Sequence, residues 1–131
     1  MQKVQGIGGV FIRARDRHAL SAWYRKHLGI DIDDEWCGAI LPGGEKPISA
    51  EGGGIWSAFD EKTDYFGASE NQFMVNFRVT DRDAMIAQLR EGGCDVDEKT
   101  EDNDYGHFGW VTDPEGHRVE LWQPPADGST S

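Results

Sequence analysis

The chain predicts an α+β protein in which two β-α-β-β-β modules build one curved, cup-shaped mixed sheet with the helices outside. Three observations carry this expectation. Two segments of alternating polarity, "GGVFIRARD" and "QFMVNFRVTD", each lead through an Asp into a helix-period segment. The two copies lie in register at a shift of 65 residues, which places Asp16 on Asp81, Arg13 on Arg78, Arg17 on Arg82 and Ala19 on Ala84. One helix shields only one face of a sheet, so the other faces of the two halves must be shared, giving about eight strands around a concave surface.

The elements follow in order. In the first module, residues 5–60, Val10, Ile12 and Ala14 alternate with Phe11 and Arg13, the period of a half-buried strand. Asp16 then offers an N-cap, and Leu20, Trp23, Tyr24 and Leu28 recur at helical spacing up to the stop at Gly29, with Trp23 and Tyr24 expected in the helix-to-sheet core. The turn-rich stretch that follows holds two short strands, "WCGAIL" and "GGGIWSAF". Residues 61–70 connect the modules. In the second, residues 71–125, Val75, Phe77 and Val79 alternate with Met74, Asn76 and Arg78, and Asp81 caps a helix from Arg82 to Glu91 that stops at Gly92 and Gly93. Strands "CDVDE", "YGHFGWVTD" and "HRVELWQ" complete it, the last two joined by "DPEG", where Pro fixes φ and Gly tolerates a positive one. Residues 126–131 are small and polar and are expected to be disordered.

Composition narrows the function. The 131 residues suit one domain, and a formal charge of −11 without a local basic cluster excludes nucleic acid as a partner. No stretch has the apolar length of a bilayer span, and no basic segment precedes an apolar run, so a cytoplasmic protein is expected. Cys37 and Cys94 lack the CxxC spacing of a redox or zinc motif and are read as free thiols. Gly52, Gly53 and Gly54 lack the Lys-Ser/Thr pair of a phosphate loop and read as a turn or a kinked strand entry.

Strand parity assigns the cup. With Val10, Ile12, Val75, Phe77, Val119 and Leu121 toward the helices, the concave face receives Phe11, Arg13, Met74, Asn76, Arg78, Arg118, Glu120 and Trp122. Glu120 is the notable member, a carboxylate in the apolar strand "RVELW". A buried carboxylate needs a partner, and an arginine fork from Arg13, Arg78 or Arg118 is the first expectation.

At this point "GGVFIRARDRHALSAWYRKHLGI" and "YGHFGWVTDPEGHRVELWQP" resemble the vicinal oxygen chelate superfamily, which includes glyoxalase I, bleomycin-resistance proteins and extradiol dioxygenases. The resemblance covers nearly the whole chain. It implies the glyoxalase/bleomycin-resistance fold, a small-molecule cup, a homodimer and, in enzymatic members, a divalent metal held by residues from both modules. Carried over position by position, the first ligand falls on Gly9, the second-module counterpart on Met74, the end of the first module on Trp56, Ser57 or Ala58, and the last on Glu120. Only Glu120 is a good ligand.

The resulting expectation is a cup that binds a small organic molecule without the usual four-ligand metal site, so no cofactor is predicted. Arg13, Trp56, Asn76, Arg78, Arg118 and Trp122 are the candidate ligand contacts. Trp36, Trp110, Tyr65 and Phe66 are further aromatics that can wall a cleft. Glu120 and His107, the latter on a strand beside two aromatics, are the candidate acid-base pair. A second reading keeps a displaced divalent metal at Glu120, with lyase, isomerase or dioxygenase chemistry. A third is an accessory module whose cup is closed by Arg–Glu pairs.

Overall fold

The computed structural model describes residues 1–41, 54–68 and 70–125. In chain order β1 (Gly6–Ala14), α1 (Arg17–Leu28), β2 (Gly38–Leu41) and β3 (Gly54–Asp60) form the first half. The second half holds β4 (Phe73–Arg78), α2 (Arg82–Glu91), β5 (Asp95–Val96), β6 (Glu101–Asn103), β7 (Gly106–Thr112) and β8 (Arg118–Gln123). The expected tail, and Gly52 and Gly53 of the glycine run, lie outside the described residues.

The repeat is visible in the helix caps. Asp16 accepts the Ala19 backbone N–H and Asp81 that of Ala84, both at 3.0 Å, from extended caps at φ −138°, ψ 92° and φ −143°, ψ 102°. Each bond satisfies a donor that the first helical turn leaves open, a contribution of about 1 kcal/mol. Gly29 ends α1 at φ 69°, a left-handed conformation that a β-carbon disfavours.

The strands form one mixed sheet of order β2-β3-β1-β4-β8-β7-β5, with β6 paired to β7. Strand β1 runs parallel to β3, and β4 runs parallel to β8. The halves join where β1 and β4 pair antiparallel. This gives the expected curved sheet with outer helices, with its strands divided unequally among the described residues. After α1 the chain makes a tight turn closed by Asp33 and Gly38 in place of a further long strand. The second half gains β6, three exposed polar residues paired to β7 that carry no apolar alternation to announce a strand.

Two clusters lie under the helices. Ile12, Leu20 and Tyr24 pack on buried Ala14, Ala39, Trp56 and Ala58 below α1, while Met85 and Ile86 of α2 pack on Val79 and Leu121. A third cluster, Phe11, Phe66, Met74 and Trp110, supports the concave face. Trp23, expected in the core, is instead 52% exposed, packed edge-on against Tyr24 and against His27. Between the helices the convex side carries the cross-strand pairs Ile7–Phe77, Val10–Val75 and Ile12–Phe73. Ile7, Val10 and Phe73 are exposed there.

Candidate functional site

The concave face encloses a cavity of about 580 Å³. Its polar floor is made by Asn76 of β4 and Glu120 of β8, which are paired in register, with Trp122 two residues further along β8 on the same face. Phe11, Phe59 and Phe108 stand on the walls, and Tyr65 enters from the connector. Trp36 and Tyr105 line the same cavity and are 39% and 63% exposed, so they form its rim.

Glu120 is 1% exposed and is held by three neutral donors from three elements. The Tyr65 hydroxyl donates to Oε2, Trp110 Nε1 donates to Oε2 at 3.0 Å, and Asn76 Nδ2 donates to Oε1 at 2.6 Å. Burial, the dominant cause, pushes the Glu120 carboxyl above its usual range, while these three bonds and the field of Arg118 oppose the shift. The Tyr65 phenol is pushed well above its ordinary value, first by burial and then by the adjacent carboxylate. The site is therefore a buried carboxyl group in an otherwise apolar box, where desolvation favours protonation and the three donors favour the carboxylate.

The expected arginine fork does not form. Arg13 turns to the connector, where Nε donates to Asn71 O at 2.8 Å and Nη1 to Glu61 O and Thr63 O, both at 2.7 Å. Its guanidinium also lies 5.2 Å from the centre of the Phe66 ring. Arg118 pairs with Asp97 at 3.2 Å and covers the Trp110 ring at 5.1 Å. Arg78 lies beside β1, where a β-carbon at Gly6 would come within 2.9 Å of its Nη2. None of these three lines the cavity. Arginine positions at strand ends point along the rim, and backbone carbonyls and carboxylates outside the cup capture them first.

Two other sequence candidates lie elsewhere. Trp56 faces the helix side, with its ring centre 4.5 Å from that of Tyr24. Strand β3 is apolar on both faces, so its period does not say whether Trp56 or Ser57 points inward. His107 is exposed at the sheet edge, its Nδ1 2.9 Å from Asp102, a carboxylate that also meets Arg82 at 2.9 Å. Here alternation within "YGHFGWV" was informative: Phe108 and Trp110 face the cup, so His107 faces away. Tyr105, Phe108 and Phe59 are cavity residues that the sequence reading did not single out.

The register also settles the counterpart of Glu120. Phe11 opposes Ser57 as Asn76 opposes Glu120, so Ser57 holds the matching position of the first half. Its hydroxyl turns to Cys37 O at 3.4 Å.

The residues at the positions where the resemblance implies metal ligands do not fit a chelated divalent ion. A β-carbon at Gly9 would come within 2.7 Å of Ile55 O, and one at neighbouring Gly8 would collide with Asn76 Oδ1 and lie 2.7 Å from Trp122 Cε3. The space for a β1 ligand is thus filled by neighbouring groups. Met74 is 1% exposed in an apolar cluster, and both Glu120 oxygens already accept hydrogen bonds. Among the described residues no group of three or more His, Cys, Asp or Glu side chains converges on a metal-sized site.

A curved sheet of paired modules around a cup defines a class of small, two-module α+β proteins. The glyoxalase-like domain family matches residues 9–122, and the chain belongs to that family. No similar sequence is found among curated proteins. Among solved structures, methylmalonyl-CoA epimerase from Mycobacterium tuberculosis is 21% identical over 93% of this chain and 89% of its own, with a TM-score of 0.63. A variant of the Streptomyces coelicolor epimerase in complex with 2-nitronate-propionyl-CoA is 18% identical over 95% of this chain and 100% of its own, at 0.67. A glyoxalase/bleomycin resistance protein/dioxygenase superfamily member from Vibrio splendidus 12B01 is 11% identical over 94% of this chain and 99% of its own, at 0.58. At these identities the likeness establishes the vicinal oxygen chelate fold.

Proposed function

We propose that this protein is a binding protein of the vicinal oxygen chelate superfamily that captures a small, planar organic molecule in its cup without a chelated metal. The observation that carries the reading is the cavity itself. It holds about 580 Å³, is walled by aromatic rings, and places one buried carboxylate among neutral donors at its floor. That open volume argues against an accessory module with a closed cup. The alternative, a metal-dependent lyase, isomerase or dioxygenase, draws support from the fold shared with the epimerases and needs a displaced site at Glu120.

The two modules act as one binding domain, and the apolar pairs Ile7–Phe77, Val10–Val75 and Ile12–Phe73 on the convex side favour a homodimer. No described helix is long and apolar enough to cross a membrane, and with the strong negative charge this favours a cytoplasmic protein without nucleic-acid partners. The test is a calorimetric screen of planar aromatic compounds, with and without a chelator, beside elemental analysis of the protein and of Glu120→Ala. Saturable, chelator-insensitive binding supports the reading. One divalent ion per chain that disappears in Glu120→Ala overturns it in favour of the metal-dependent alternative.

A further inference from the structure

We propose that the cup selects a planar organic cation, an aromatic amine in its protonated form, and that Glu120 neutralises its charge. This rests on the reading of the cup as a small-molecule site and assigns the chemical class of its occupant.

The sequence leaves the sign of the ligand open, because an acidic chain carries three arginines at positions expected inside the cup. The structure removes that ambiguity. Arg13 is committed to the connector carbonyls and Phe66, and Arg118 to Asp97 and the face of Trp110. Neither lines the cavity, so an anionic ligand would find no lining cation among the described residues. It would also approach the one buried carboxylate on the floor.

A cation meets the opposite situation. Glu120 receives three hydrogen bonds, all from groups without formal charge, and no described residue forms an ion pair with it. Its two oxygens offer about four acceptor positions, which leaves one for a ligand N–H. Hydrogen bonds from neutral donors reduce the cost of burying the carboxylate but leave its charge uncompensated, and a buried charge gains most from an opposite charge in contact. The walls add to this. Rings at Phe11, Phe59, Phe108 and Trp122 line the same cavity, and a cation over the face of an aromatic ring gains about 0.5–2 kcal/mol when desolvated. The formal charge of −11 draws cations toward the rim.

The test compares three probes that share one ring system: 2-naphthylmethylammonium, the neutral 2-naphthylmethanol and the anionic 2-naphthoate. Each is titrated by calorimetry into the full chain at pH 7.5 and again in raised salt. The expected order is ammonium, then alcohol, then carboxylate, with about a tenfold step in Kd between the first two. In Glu120→Gln the ammonium-to-alcohol ratio should fall to near one. Asn76 can accommodate that change by turning its amide, since its Oδ1 is buried without a hydrogen-bond partner.

If the wild-type protein binds the alcohol or the carboxylate as tightly as the ammonium, the cationic assignment fails while the cup reading stands. If none of the three binds saturably, the cup reading fails and takes the assignment with it. A preference that survives in Glu120→Gln and vanishes in salt would assign it to the surface field and overturn the role given to Glu120. The wild-type comparison decides the sign of the ligand even if the variant does not fold.

Discussion

Tyr65→Phe isolates the bond between the connector and the floor of the cup. The substitution removes one hydroxyl and keeps the ring, which stacks on Phe59 at 5.6 Å and meets Trp110 edge-on at 6.0 Å. What disappears is a hydrogen bond to a buried carboxylate. Such bonds contribute about 1.5–3 kcal/mol when the acceptor is charged and about 1 kcal/mol when it is neutral. The loss should therefore depend on pH. Burial raises the folded-state pKa of Glu120 above its unfolded value, so between the two values the folded chain holds more protons than the unfolded one. Stability from this group is greatest below the unfolded carboxylate pKa and falls as pH rises through the folded one. Removing the Tyr65 donor takes away an interaction that favours the ionised form, which moves the folded pKa further up and deepens the fall. Urea denaturation of wild type and variant at pH 4 and pH 8 measures the difference, in which effects of other groups largely cancel. The expected cost is about 1.5–3 kcal/mol at pH 8, a drop of about 5–11 °C in Tm for a chain of this size, and roughly 1 kcal/mol or less at pH 4. Equal costs at both pH values would refute the argument that the hydroxyl acts through the charge of Glu120.

Glu120→Ala leaves the buried donors of Asn76 and Trp110 and the half-buried Tyr65 hydroxyl without this acceptor and should cost about 2–4 kcal/mol by urea denaturation at pH 7, whereas Glu120→Gln should cost less than half of that. Gly8→Ala drives a methyl group into Asn76 and Trp122, so a loss of about 1–3 kcal/mol and weaker probe binding are expected together; unchanged calorimetry would show that the floor has slack. Trp56→Ala should cost about 3–5 kcal/mol with the Kd of any cup ligand unchanged, because its ring packs under α1. His107→Ala should leave both stability, within about 0.5 kcal/mol, and ligand binding as they are, and a binding defect would return this histidine to the site.

The parts of the fold that were legible in the sequence share one property: local geometry determines them. Asp16 and Asp81 announce their helices because a cap needs only the next three residues, and the 65-residue repeat keeps the two caps in register. The cup side of β4 and β8 was readable because Asn76, Glu120 and Trp122 follow a strict two-residue period. The partners of Glu120 were not readable in this way. Tyr65 lies 55 residues away, outside the described helices and strands, and nothing local says that its hydroxyl crosses to β8. The rule that a buried carboxylate takes an arginine yielded here to three neutral donors arriving from separate elements. Trp56 was misplaced for a different reason, since a strand covered on both faces has no polar side to give its direction.

The two halves have kept a common frame and diverged at its centre. Caps, strand order and parallel pairing repeat, yet the matched central positions hold Phe11 and Ser57 in one half and Asn76 and Glu120 in the other. Ser57 spends its hydroxyl on a backbone carbonyl, so the first half contributes mostly apolar surface to the cavity and the second contributes the charge. The connector then acts as part of the site. Arg13 holds the carbonyls of Glu61, Thr63 and Asn71, Asn71 donates to Phe66 O and Gly116 O, and Tyr65 is thereby fixed between the apolar half and the charged one. An arginine expected to meet the ligand instead anchors the segment that delivers the hydroxyl to Glu120. It follows that Arg13→Ala should weaken ligand binding without touching the ligand, through loss of Tyr65 placement. The signature that separates this from a direct contact is a double-mutant cycle: Arg13→Ala should add little to the binding defect of Tyr65→Ala, whereas a direct contact would make the two effects additive.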